Sequence, residues 1–230
     1  MTFSVVGRCP RTGSMGVAIA SSSPAVGARC AWVRGGVGAV TTQNVTDPRL
    51  GPALLDALES GAEPEAAVAG LVSARPADQM AWRQLTAVDM RGRVTAWTGA
   101  EALGTHGQVV DDGVVVAGNL LASTAVLDGA VAAFTNLAEA PLGERLVAGL
   151  KGALAAGGEA GPVRSAGLVI ASADERYSWP VTDLRVDWHD DPVAELEKLW
   201  QVWEPQEQAY LVRALDPQGS PGYDVPGDSR

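Results

Sequence analysis

The opening stretch MTFSVVGRCPRTGSMGVAIASSS constrains the fold more than any other part of the chain. Residues 2–6 and 15–20 are runs of apolar and β-branched side chains, separated by the turn formers Pro10, Gly13 and Ser14. Such runs joined by such a turn read as a β-hairpin. A strand must then begin at Thr2, directly behind the initiator methionine. A turn centred near Thr12 pairs residues whose numbers sum to about 24, which sets Ser22 opposite Thr2. A slip of one residue brings Ser21 or Ser23 there, so a hydroxyl faces Thr2 in every nearby register.

That placement carries a specific chemistry. Small second residues permit removal of Met1, and Thr2 would then hold a free α-amine beside its own hydroxyl. An amine of this kind has a pKa of about 8, so part of it is unprotonated at neutral pH and can serve as general base. Nucleophile and base would sit in one residue. The plain alternative is a β-former that starts an edge strand.

The chain has 230 residues, 47% of them hydrophobic, enough to bury a core in one large domain, expected over residues 1–215. Its 27 acidic and 17 basic residues give a net charge of -10 without a basic cluster, which makes nucleic acid and anionic membranes poor partners. No charged n-region with an apolar h-region opens the chain, and no stretch of about 18 apolar residues follows, so a cytoplasmic location is expected. Cys9 and Cys30 stand far apart, and His106 and His189 are the only histidines, so no metal site is expected. Cys30 reads as a buried small hydrophobe, and Cys9, at the turn, as exposed. Dinucleotide and phosphate-loop glycine patterns and the Gly-x-Ser-x-Gly elbow are absent, so no cofactor is expected.

Strand-like runs at 28–33 and 36–43 follow the hairpin. Proline-started amphipathic helices come next, near 52–60 and 64–75. Residues 84–89 and 93–98 form a second hairpin around Gly92, and 109–116 a third around Gly113. Helices over 124–138 and 142–156 lead to strands at 165–172 and 182–188. From residue 192 a helix carries Val193, Leu196, Leu199, Trp200 and Trp203 on one stripe, a core or subunit contact, and Pro205 is expected to break it. Residues 216–230, rich in Pro, Gly and Asp, read as a disordered tail. Antiparallel hairpins with segregated helices indicate an α+β fold with two stacked sheets and helices outside each.

The order of ten short motifs resembles one family. They include Thr2-Phe3-Ser4-Val5-Val6, residues 16–21, Pro24-Ala25-Val26-Gly27, residues 36–43, Arg83-Gln84-Leu85, Gly118-Asn119-Leu120-Leu121 and Leu184-Arg185-Val186-Asp187. The family is the bacterial domain of unknown function numbered 1028, of the N-terminal-nucleophile (Ntn) hydrolase superfamily. The resemblance covers roughly residues 2–215. It implies a four-layer α-β-β-α sandwich and places Thr2 where relatives in the superfamily carry an amidase nucleophile. It also leads one to expect an acidic residue where Cys9 stands, asparagine at Asp47 and glutamine at Ala117.

In the enzyme reading Thr2 Oγ1 attacks a carbonyl and its α-amine moves the proton. The oxyanion needs two donors, and the amide of Asn119 with a backbone N–H would supply them. Gln43 and Ser22 are candidates to orient the amine or substrate, and Arg83 to hold a substrate carboxylate. Asn119 as a turn residue, Arg83 as a solvated arginine and Ser22 as a backbone cap remain open. The lysine that some relatives in the superfamily hold near the nucleophile has no counterpart near Thr2 in sequence, so either another cation such as Arg8 or Arg29 serves or the chemistry differs. The expected activity is therefore hydrolysis of an amide in a small molecule. Its rival is a catalytically silent Ntn-fold protein that binds a metabolite or assembles, with a homodimer through Leu199, Trp200 and Trp203.

Overall fold

The computed structural model describes residues 2–223, 225, 226 and 228. In chain order it runs β1 (Thr2–Arg8), β2 (Met15–Ser21), α1 (Gly27–Cys30), β3 (Ala31–Arg34), β4 (Gly38–Asn44), α2 (Leu50–Glu59), α3 (Pro64–Ser73) and α4 (Ala77–Met80). It continues with β5 (Arg83–Asp89), β6 (Val94–Thr98), β7 (Gly107–Asp111), β8 (Val114–Asn119), α5 (Ala125–Thr135), α6 (Leu142–Ala155), β9 (Ser165–Ala171), β10 (Thr182–Val186) and α7 (Pro192–Leu215). One sheet has the order β10-β9-β2-β1-β8-β7 and the other β3-β4-β5-β6. Every neighbouring pair is antiparallel. The first strand of the chain is thus a central strand, with β2 on one side and β8 on the other.

Alternation along β1 divides its side chains between two layers. Phe3 and Val5 join Leu146, Leu150, Leu168 and Leu196 in the core under α5, α6 and α7. Val6 joins Val17, Ile19 and Val115 of its own sheet and Ala39 and Val88 of the other, between the sheets. On the far side Val40, Leu85 and Ala87 pack under Leu50, Leu54 and Val68 of α2 and α3. The result is the four-layer α-β-β-α sandwich that the hairpins and amphipathic helices predict. The two outer helices α5 and α6 approach at Gly129 and Gly152, where a Cβ on Gly152 would lie 2.4 Å from the Gly129 carbonyl oxygen.

Several local expectations change. The six-residue turn, closed by Cys9 N–H to Ser14 O at 2.9 Å, pairs Thr2 with Ser21 rather than Ser22. Residues 27–30 form a helical turn, so the following strand starts at Ala31. Cys9 is buried, like Cys30, because its side chain joins the cluster of Phe134 and Leu146. Pro205 does not break α7. A proline removes only one backbone bond, and Gln206 Nε2 donates to the Val202 carbonyl at 2.7 Å beside it, on an exposed face. Trp200 is buried against Gly143, and Trp203 donates to Thr182 Oγ1 at 3.0 Å, so both are used inside the chain while Leu199 is exposed. The tail segment read as disordered falls partly outside the described residues. From residue 216 to 223 it lies back on α7, where Arg213 donates to the carbonyls of Pro221 and Gly222 and stacks on Tyr223. No helix among the described residues is long and apolar enough to cross a membrane.

Candidate active site

The layer between the sheets changes character along its length. Strand alternation turns Thr2, Ser4 and Val6 of β1 toward the second sheet, and the same rule turns Ser21 of β2, Asn119 of β8 and Ser165 of β9 the same way. Register aligns Ser165, Ser21, Thr2 and Asn119 as a continuous row across four adjacent strands. Opposite them the second sheet presents Gln43, Gln84 and Thr98, again in one row. At this end of the layer polar side chains meet from both sheets.

The hydrogen bonds of this cluster have a fixed polarity. Gln84 Nε2 lies 3.1 Å from the Gly118 carbonyl and 3.2 Å from the Gly107 carbonyl, and since carbonyls only accept, the nitrogen must stand there. Gln84 Oε1 is then an acceptor, taking Gln43 Nε2 at 2.7 Å and Asn119 Nδ2 at 3.3 Å. Gln43 Oε1 in turn accepts from Ser4 Oγ at 2.8 Å. The chain of donors leaves Asn119 Oδ1 as a buried acceptor with no hydrogen-bond partner among the described residues. Asn119 is only 1% exposed, so its side chain is screened from bulk water. Thr2 Oγ1 sits 3.3 Å from Ser21 Oγ, which also accepts the Ser23 N–H at 3.1 Å.

Backbone strain gathers at the same end. The described non-glycine residues with positive φ are Ala25 (52°), Asn44 (70°) and Leu120 (52°). Asn44 follows Gln43 and ends β4, and Leu120 follows Asn119, the last residue of β8. Left-handed backbone at a side chain such as leucine costs about 1–2 kcal/mol, and strain of this kind concentrates where a geometry is held for function.

Of the five residues singled out by sequence, Thr2, Asn119 and Gln43 come together. Ser22 does not. The one-residue register shift makes Ser21 the neighbour of Thr2, and Ser22 instead directs its N–H to the two carboxylate oxygens of Glu159 at 3.2 and 3.1 Å. Arg83 does not either, because it precedes Gln84 by one position and so belongs to the opposite face of β5, where its guanidinium bonds the Val45 carbonyl. The candidate cations are also elsewhere. Arg8 closes the far end of β1, about 20 Å away at 3.3 Å per residue, and Arg29 bonds the carbonyls of Pro24 and Ala25. Lys151 pairs with Glu197 at 2.7 Å and Lys198 with Glu195 at 2.6 Å.

Three residues of the cluster were passed over. Ser4 shares the face of Thr2 by the period of two along β1, and Gln84 stands opposite Gln43 on the neighbouring strand. Glu159 had no such signal, since it lies in irregular chain between β9 and α6, after Gly157 and Gly158. It is 5% exposed, and burial pushes its carboxyl up to about 7 against the bonds from Ser22 that favour the charged form. Among the described residues no three His, Cys, Asp or Glu side chains gather as a metal site.

Comparison with known proteins gives the chain relatives. The family model described as "Family of unknown function (DUF1028)" matches residues 2–196. The crystal structure of a protein from Silicibacter pomeroyi, ascribed to that family, superimposes with a TM-score of 0.79 at 32% identity, covering 87% of this chain and 85% of that one. Anbu, the ancestral β-subunit, from Yersinia bercovieri matches with a TM-score of 0.40 at 12% identity, over 90% of this chain and 96% of that one. Anbu from Hyphomicrobium matches with a TM-score of 0.43 at 12% identity, over 97% of this chain and 100% of that one. No curated protein matches.

Proposed function

This chain belongs to the DUF1028 family of unknown function, and from the geometry of its own residues we propose that it is an Ntn-type hydrolase. It would cleave the amide C–N bond of a small molecule in the cytoplasm, with Thr2 as nucleophile after Met1 is removed. Met1 itself lies outside the described residues. Thr2 Oγ1 attacks the carbonyl carbon, the α-amine takes the hydroxyl proton and returns it to the leaving nitrogen, and water then releases the acid from the ester intermediate. The second proton of Asn119 Nδ2 and a backbone N–H supply the oxyanion donors. Gln43 and Gln84 touch no reacting atom and act by holding Asn119.

The observation that carries this reading is the buried Asn119 Oδ1, orphaned beside Thr2. Leaving a buried acceptor unmet costs about 1–3 kcal/mol, and the polarity set by Gln84 leaves the amide no way to turn and relieve it. A ligand N–H or the freed amine is the donor it is built for. The test is intact mass followed by the variant Thr2→Ala, assayed on a panel of small primary and secondary amides. The expected result is a mass lacking methionine and hydrolysis by the wild type that the variant abolishes. Hydrolysis that survives Thr2→Ala rejects the mechanism.

One set of observations favours the rival, a silent binding protein. Thr2 is 5% exposed, while grooves of about 760 and 720 Å3 open elsewhere, one between α5, α6 and α7 and one around Arg34, Asp89 and Glu175. Retained Met1 decides for this rival.

A further inference from the structure

We propose that Glu159 is the proton partner of the Thr2 α-amine, its carboxylate lying across the N-terminal end of β1 and taking the proton that the ammonium gives up before attack. The inference rests on the reading above, in which Met1 is removed and Thr2 opens the chain.

The geometry follows from what Glu159 touches. On the β8 side, residues 158–160 lie along the chain that continues from that strand. Ala122 N–H donates to Gly158 O at 3.0 Å, Ala160 N–H donates to Leu120 O at 2.9 Å, and Leu121 bridges Glu159. On the β2 side the Ser22 N–H reaches both carboxylate oxygens. Those two attachments belong to the strands that flank β1, and neighbouring strands stand about 4.8 Å apart, so the span between them is about 10 Å. A side chain joined to both must cross the axis of β1. The first atom of β1 toward that end is the nitrogen of Thr2.

Charge demands the same partner. A carboxylate buried without a countercharge is costly, so such groups pair or take up a proton. Among the described residues Glu159 forms no ion pair, and the charged groups on the segments around it are already engaged. Arg164 is turned to Asp190 and lies over the ring of Trp188. Arg29 is on carbonyls, and the His189 ring accepts the Asp191 N–H at 3.0 Å. Thr2, Ser21 and Asn119, aligned at this end of β1, β2 and β8, carry uncharged side chains.

The exchange balances without an outside reactant. The ammonium R–NH3+ and the carboxylate become R–NH2 and –COOH, one N–H bond breaks and one O–H bond forms, and the lone pair left on nitrogen is the base for Thr2 Oγ1. Burial raises the Glu159 carboxyl to about 7, which makes it a better proton acceptor than an ordinary carboxylate. This arrangement serves in place of a lysine.

The experiment needs no substrate. The N-terminal residue is identified by intact mass, and the rate of dinitrofluorobenzene labelling at its α-amine is followed from pH 5 to 10, with the label located by peptide mass. In the wild type the carboxylate holds the amine's labelling midpoint up. In Glu159→Gln, which keeps an acceptor for Ser22 but no charge, it falls by at least one pH unit. The exposed Glu139→Gln control leaves it where it is. Where Glu159→Gln does not fold, Glu159→Asp, with its carboxylate drawn back by one methylene, lowers the midpoint by a smaller amount. Equal midpoints in wild type and folded Glu159→Gln, or in wild type and Glu159→Asp, overturn the proposal and leave Thr2 as nucleophile untouched. A mass that includes Met1 overturns both.

Discussion

The two ends of the layer between the sheets are built from the same strands and follow the same alternation, yet they hold opposite contents. At the Arg8 end, Val6, Val17, Val115, Ala39 and Val88 interlock as ordinary core. At the Thr2 end, the same positions one or two residues further along are Thr2, Ser4, Ser21, Asn119, Gln43 and Gln84, all buried. Burying an aliphatic side chain contributes about 1.5–3 kcal/mol, whereas a hydrogen bond nets about 1 and an unmet acceptor is a loss. The apolar end therefore contributes more stability per residue than the polar end, where one acceptor stays unmet. Left-handed backbone at Asn44 and Leu120 is a further cost at the second end. A hydrogen-bonded cluster that is complete apart from one acceptor beside a hydroxyl is organised for a ligand as well as for the fold.

The sharpest way to break this division is at the apolar end. Met15 pairs with Arg8 across the strands and is fully buried. Met15→Ala should lower unfolding free energy by about 2–5 kcal/mol, read by denaturant titration, while leaving the labelling midpoint of the Thr2 amine unchanged. A shift in that midpoint would show that the two ends are coupled rather than separate.

Next in size is a pH effect at the polar end. The Glu159 carboxyl stands at about 7 in the folded protein against an ordinary 4.5, so the folded state holds its proton more tightly. The contribution is then most favourable below pH 4.5 and is lost as pH rises from 4.5 toward 7, a total of about 3 kcal/mol at 1.36 kcal/mol per unit. Thermal unfolding of the wild type should fall relative to Glu159→Gln across that window. The reverse slope would mean that the charge of the N-terminal amine outweighs burial and keeps the carboxyl ionised.

How much of this was legible follows from which interactions leave a local mark. The central hairpin and the amphipathic helices were, because periods of two and 3.6 are written in adjacent residues. Thr2, Gln43 and Asn119 were legible as polar residues ending apolar runs. Ser22 was misplaced because a turn sets register only to within one residue, and one residue is the difference between facing Thr2 and facing Glu159. Arg83 drew attention as a guanidinium suited to carboxylates, but alternation hands the inward position to Gln84. Glu159 left no mark at all, because it meets Ser22 across 137 residues from a stretch without period.

A smaller effect on stability separates cost from use. Asn119→Leu removes one 3.3 Å hydrogen bond together with the orphaned oxygen, so the loss and the relief offset each other. Stability should stay within about 1 kcal/mol of the wild type or rise, while hydrolysis of the amide panel is lost. A large destabilisation would make Asn119 a structural residue.

The smallest effect belongs to the residue that alternation removed from the site. Arg83 bonds the Val45 carbonyl and acts on Asp47 from the outer face of β5, at an exposed contact, so Arg83→Ala should change stability by no more than about 0.5 kcal/mol. Its effect on hydrolysis of any amide that the wild type accepts should be no larger than about twofold, a small fraction of the factor of ten that 1.4 kcal/mol represents. Gln84→Ala, one residue away, is the paired measurement. It strips the acceptor from Gln43 and Asn119 and the donor from two buried carbonyls, and so should disturb both stability and activity. If the two neighbours behave alike, the face of β5 that looks into the layer is not what matters, and the division between the two ends fails at its nearest point.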